Sequence, residues 1–133
     1  MAVEGLTTLR SGHDSPQTVA RLVAEVEARG LQVFARIDHA AGAADAGLPL
    51  RPTTLVIFGA ARGGTPLMQA AQTIGIDLPL KALAWQDASG DTWLSYNDLS
   101  WLAKRHGLGR EAAASVDAMA AALDAVARTA TSS

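Results

Sequence analysis

The segment Gly59-Ala-Ala-Arg-Gly-Gly-Thr65 has residue types suited to holding an anion. Glycines let backbone amides approach an anion closely, a helix start adds partial positive charge, and an arginine can add a bidentate contact. Gly59, Arg62, Gly63, Gly64 and Thr65 are therefore candidate ligand residues for a small anionic group. The glycine spacing matches a nucleotide P-loop, but Thr65 stands where that motif needs lysine, so it is not a Walker motif. The plain alternative is a tight strand-to-helix loop in which glycine serves geometry and Thr65 caps the helix.

Arg36, Asp38 and His39 form a second cluster, at the end of an expected strand. A rigid strand end is where binding or catalytic groups are often held. Asp38 or His39 can act as general acid or base if burial tunes it towards neutral pH, which defines an enzymatic alternative. The plain reading is an Arg36 and Asp38 ion pair on one strand face. His13, His39 and His106 lack metal-ligand spacing, and no metal is expected. Ser95, His39 and Asp98 compose a hydrolase triad only on paper, because Ser95 lacks the elbow motif that exposes a nucleophile. Trp85 and Trp93 suit cross-strand packing or a dimer contact.

These groups need a scaffold, and the chain of 133 residues is the size of one domain. With 49% hydrophobic and 18% charged residues it is globular, and its apolar runs are too short to cross a membrane. A net charge of -2 and scattered basic residues disfavour nucleic acid. Cysteine is absent, which excludes disulfides and thiolate chemistry. The first residues lack the pattern of an export signal, so a cytoplasmic location is expected.

Alternation and punctuation predict a strand over Thr7–Ser11 and a helix over Pro16–Arg29 stopped by Gly30. Leu31–His39 follows as a strand with Val33, Ala35 and Ile37 on one face, then a mobile loop over Ala40–Pro52. Thr53–Phe58, apolar on both faces, reads as a central strand, followed by a loop over Gly59–Gly64 and a helix starting at Thr65-Pro66. Leu80–Gln86 and Thr92–Tyr96 form a hairpin. A short helix capped by Asn97 or Asp98 and a last helix over Arg110–Arg128 complete the chain. The expected fold class is α+β, a two-layer mixed β-sheet with helices packed on one face.

The runs Phe34-Ala-Arg-Ile-Asp-His39, Phe58-Gly59, Gly64-Thr-Pro-Leu-Met68, Asp77-Leu-Pro-Leu80 and Trp93-Leu-Ser-Tyr-Asn-Asp98 resemble the domain of unknown function 302 family. The resemblance extends from Thr7 to Leu108, so residues 1–108 read as the family-like domain and 109–133 as an alanine-rich C-terminal helix and tail of the same domain. It implies a two-layer α/β domain commonly seen as a dimer, with no established activity, cofactor or catalytic residue. Where the family often has Asn-Pro-Lys, this chain has Ala60-Ala61-Arg62, which keeps the positive charge and loses the amide and proline. The leading expectation is a homodimeric small-ligand-binding domain with no nucleic-acid or membrane partner. A structural interaction module is the remaining alternative.

Overall fold

The computed structural model of the protein describes residues 2–133. Five strands form one sheet in the order β1-β5-β4-β3-β2. They are β1 (Leu6–Arg10), β2 (Gln32–Asp38), β3 (Thr53–Gly59), β4 (Leu80–Gln86) and β5 (Thr92–Asn97). The helices are α1 (Ser15–Ala28), α2 (His39–Asp45), α3 (Ala61–Ala70), α4 (Leu99–Arg105) and α5 (Ala113–Thr131).

The α+β class agrees with the sequence, but every strand pair is antiparallel rather than mixed. Two helical connections explain this. After β3, α3 and the tight turn Gln72–Ile76 return the chain to the end of the strand it left, so Phe58 faces Leu80. The α1 connection carries the chain from β1 at one edge to β2 at the other, where the two never pair.

Local signals set most boundaries. Asp14 caps α1 by accepting from the Gln17 amide at 2.8 Å, and Pro16 follows in the first turn. Gly30 ends the helix at φ +74°, where its amide reaches the Glu27 carbonyl. The expected loop after β2 contains α2 instead: Asp38 caps it, accepting from the Ala41 amide at 2.9 Å, and its alanines favour helix.

One face of the sheet carries α1 and α5. Leu22, Val26, Val56, Phe58, Leu67, Leu94 and Val126 are fully buried between them. Ala127 and Ala130 are also fully buried, and such small side chains let two helices approach closely. The Arg21 guanidinium on α1 donates to the Thr129 carbonyl at 2.8 Å, and the Tyr96 hydroxyl on β5 donates to Asp124 on α5 at 2.9 Å. Burial, followed by the bond to Asp124, pushes the Tyr96 hydroxyl up to about 12. The C-terminal helix thus packs on its own chain.

The opposite face carries none of these core helices. The register places Ile37, Leu55, Leu83, Ser95 and Thr8 in one row across it. A bulge in β2 decides which residues reach this row. Val33 faces Phe58 and Ala35 faces Ile57, so Phe34 is the extra residue. Val33 consequently joins the helix side, while Ala35 and Ile37 turn to the helix-free side, unlike the single face expected from simple alternation.

Candidate functional site

Asp38 and the glycine-rich segment lie at opposite ends of β3, with Arg36 opposite Val56 in mid-strand. Asp38 pairs with Thr54, whereas Gly59 pairs with Gln32. At a rise of about 3.3 Å per residue, the five steps from Thr54 to Gly59 span about 17 Å. Arg36, Asp38 and His39 are exposed, and they do not converge with the glycine-rich segment. Asp38 is engaged as the cap of α2, and Arg36 forms no ion pair among the described residues, so the expected Arg36 and Asp38 pair is absent.

The glycine-rich segment is also not the open loop expected. Gly59 has φ +150°, a backbone conformation that side-chain-bearing residues rarely adopt, and it turns the chain out of β3. Helix α3 then begins at Ala61, before Arg62, Gly63, Gly64 and Thr65 rather than after them. Thr65 therefore lies inside the helix and makes no cap. The Gly63 and Gly64 amides donate to the Ala60 carbonyl at 3.0 and 3.2 Å, which engages them within the turn.

This segment does open onto a cavity of about 460 Å³ between the end of β3, α3 and α5. Gly59, Arg62, Gly63 and Gly64 line it together with Leu31, Phe34, Met68, Leu78, Pro79 and Met119; Thr65 does not. The lack of side chains on two α3 residues helps form the space. A β-carbon on Gly63 would sit 3.8 Å from Met119, and one on Gly64 3.5 Å from Leu78, both ordinary packing distances. Arg62 is the sole ionisable residue in the lining, and it is exposed with no ion pair among the described residues.

Sequence reasoning missed Phe34, Leu78, Pro79 and both lining methionines. Met119 shares one helical face with Val116, Leu123 and Val126, an apolar stripe that reads equally well as core. Phe34 is 47% exposed on the β2 bulge, and the available signal was its apolar type at a position facing away from Val33.

A polar cluster holds the wall of this cavity that contains Leu78 and Pro79. Asp77 accepts from Arg105 at 2.8 Å and lies 2.5 Å from His106 Nε2, while His106 Nδ1 contacts the Thr73 hydroxyl at 2.9 Å. Burial acts to raise the Asp77 carboxyl, but the His106 hydrogen bond and the Arg105 and His106 charges outweigh it and hold it below its ordinary value. A depressed carboxylate contributes stability that is present above its unfolded value and lost as pH falls through its folded value. Thermal unfolding should therefore show a fall in Tm below about pH 4 that is smaller in Asp77→Asn than in the wild type. Parallel acid limbs for the two proteins would deny the cluster this role.

The helix-free sheet face presents a second concavity of about 260 Å³, lined by Leu6, Leu55, Leu83 and Trp85 among others. Trp85 and Trp93 are cross-strand partners, stacked with centroids 6.2 Å apart and planes at 26°. Their indole N–H groups donate to Ser95 and Asp87 at 2.9 and 2.8 Å, so the rings are fixed in place. This agrees with the cross-strand contact expected from the sequence. The histidines are dispersed: His13 contacts the Ser132 carbonyl, His39 starts α2 and His106 meets Asp77.

Comparison with known proteins places this architecture. The chain is 50% identical over 115 residues to the fluoride-specific ion channel FluC 1 of Brucella suis biovar 1 (strain 1330), which covers 86% of this chain and 45% of the relative. The fluoride-specific ion channel FluC 2 of Brucella melitensis biotype 1 gives the same identity and covers 86% of this chain and 43% of its own length. The chain thus spans less than half the length of these curated relatives, and no helix among its described residues is long and apolar enough to cross a membrane. The crystal structure of an uncharacterised conserved protein from Bacillus stearothermophilus superposes with a TM-score of 0.85 at 15% identity, covering 96% of this chain and 99% of that one. At that identity the likeness is one of fold. The family model of the domain of unknown function DUF302 matches residues 7–126, from β1 past Leu108 and through most of α5, and the chain belongs to that family.

Proposed function

We propose that this chain is a small-ligand-binding domain that works as a homodimer, with the ligand in the cavity between β3, α3 and α5 and a second copy on the helix-free sheet face. The cavity carries the reading: at about 460 Å³ it falls within the roughly 300 to 1,000 Å³ of small-molecule sites and combines an apolar lining with a single charge. The glycine-rich segment supplies the polar end through Arg62, while the amides of Gly63 and Gly64 are engaged within α3. The reading places the domain on the aqueous side, with the cytoplasm as the compartment expected from the sequence. Catalysis by Asp38 or His39 gains no support, since both are exposed at the other end of the strand. Native mass spectrometry of the purified protein tests the proposal. A dimer that retains or takes up a small apolar compound supports it, and a monomer that binds none removes it.

The curated relatives favour a second reading, in which a domain of this kind works beside a fluoride channel. Titration of the purified chain with sodium fluoride against sodium chloride at equal ionic strength tests whether it senses the ion. A fluoride-specific rise in Tm supports direct sensing, and superimposable curves remove it.

A further inference from the structure

Resting on the ligand-binding reading, we infer that the cavity takes an alkyl monocarboxylate, with its chain among the thioethers and its carboxylate at Arg62. Three observations converge on this class. The cavity is walled by apolar groups, with Phe34 and Pro79 beside Gly59, Leu78 and Met68 beside Gly64, and Met119 beside Gly63. Burying an alkyl chain there is favourable in proportion to the apolar area removed from water. Methionine is unbranched and adaptable, so a lining with two of them accommodates a flexible chain without requiring one rigid shape.

The volume sets the length. One liquid water occupies about 30 Å³, so about 460 Å³ holds about fifteen non-hydrogen atoms, room for a ten-carbon chain and its carboxylate. The charge sets the head group. Arg62 is the lining's one ionisable residue, it lies exposed, and it has no carboxylate partner among the described residues. Its planar guanidinium matches a carboxylate bidentately. A cationic amphiphile would meet like charge there, and an alcohol would leave Arg62 unpaired.

The chain has three methionines, Met1, Met68 and Met119, and the last two line the cavity. Protein carrying methyl-13C methionine therefore reports on the cavity directly. It is titrated below micellar concentrations with decanoate, decan-1-ol and decyltrimethylammonium. Decanoate is expected to shift the Met68 and Met119 signals saturably and to bind about two- to fivefold more tightly than decan-1-ol, the scale of an exposed ion pair. Arg62→Gln, at an exposed position, should abolish that preference. Equal binding of decanoate and decan-1-ol, or tighter binding of the ammonium compound, overturns the carboxylate assignment while the cavity reading stands. If no probe moves Met68 or Met119, both fall together.

Discussion

Leu83→Asp is expected to turn the proposed homodimer into monomers while leaving the fold of each subunit in place. Leu83 lies in the middle of the helix-free face, opposite Leu55 on β3 and Ser95 on β5. The surrounding surface presents Leu6, Leu55 and Trp85 to the same concavity. A second copy covering this face would bury the new carboxylate without a partner, and an unpaired buried charge costs about 3 to 5 kcal/mol. That corresponds to a dissociation constant raised by roughly 100-fold or more. Sedimentation velocity across a concentration series reads the change, with circular dichroism as the check on folding. Thr8→Arg, at an exposed position in the same row, is the companion variant for the case in which Leu83→Asp fails to fold. A wild-type protein that is monomeric throughout, or both variants remaining dimeric, would show that this face is not the subunit contact.

The largest effect on stability should come from Phe58→Ala. Phe58 is fully buried, lies between Val33 and Leu80 in the register, and sits one residue before the Gly59 turn that leads to the cavity. Removing a buried phenylalanine ring costs about 3 to 5 kcal/mol through lost transfer energy and the space left behind. A domain of ordinary stability has about 5 to 15 kcal/mol in total. Urea unfolding should show a correspondingly lower midpoint at an unchanged slope. A loss below about 1 kcal/mol would mean that the core collapses around the gap, which the close packing at this position argues against.

Much of the scaffold was legible because its signals are local. Ser15-Pro16 and Gly30 bracket α1, although Asp14 supplies the cap, the apolar stripe of α5 marks a helix that covers a neighbour, and Asp87-Ala-Ser-Gly-Asp91 joins the two strands of a hairpin. Thr53–Phe58 was legible as a central strand because both of its faces carry apolar residues, and β3 does lie between β2 and β4. Alanine-rich His39–Asp45 was misread because small residues suit loops and helices alike, and the cap that decides between them is a hydrogen bond from Asp38. Thr65-Pro66 imitated a helix start, although proline also occurs inside α3.

For the candidate site, the sequence by itself determined the residue types: a glycine-rich exit from a central strand, one arginine within it, and a polar cluster at the end of the preceding strand. Only the tertiary structure decided that these are separate places. Antiparallel pairing puts consecutive strand ends on opposite sides of the sheet, so Asp38 and Gly59 are divided by the length of β3. The cavity likewise depends on tertiary packing, because its walls come from β2, α3, the Leu78-Pro79 turn and α5, residues far apart in the chain. Periodicity can mark Met119 as apolar, but whether an apolar side chain fills a core or borders a space depends on how closely its neighbours approach, and that is fixed by packing between elements.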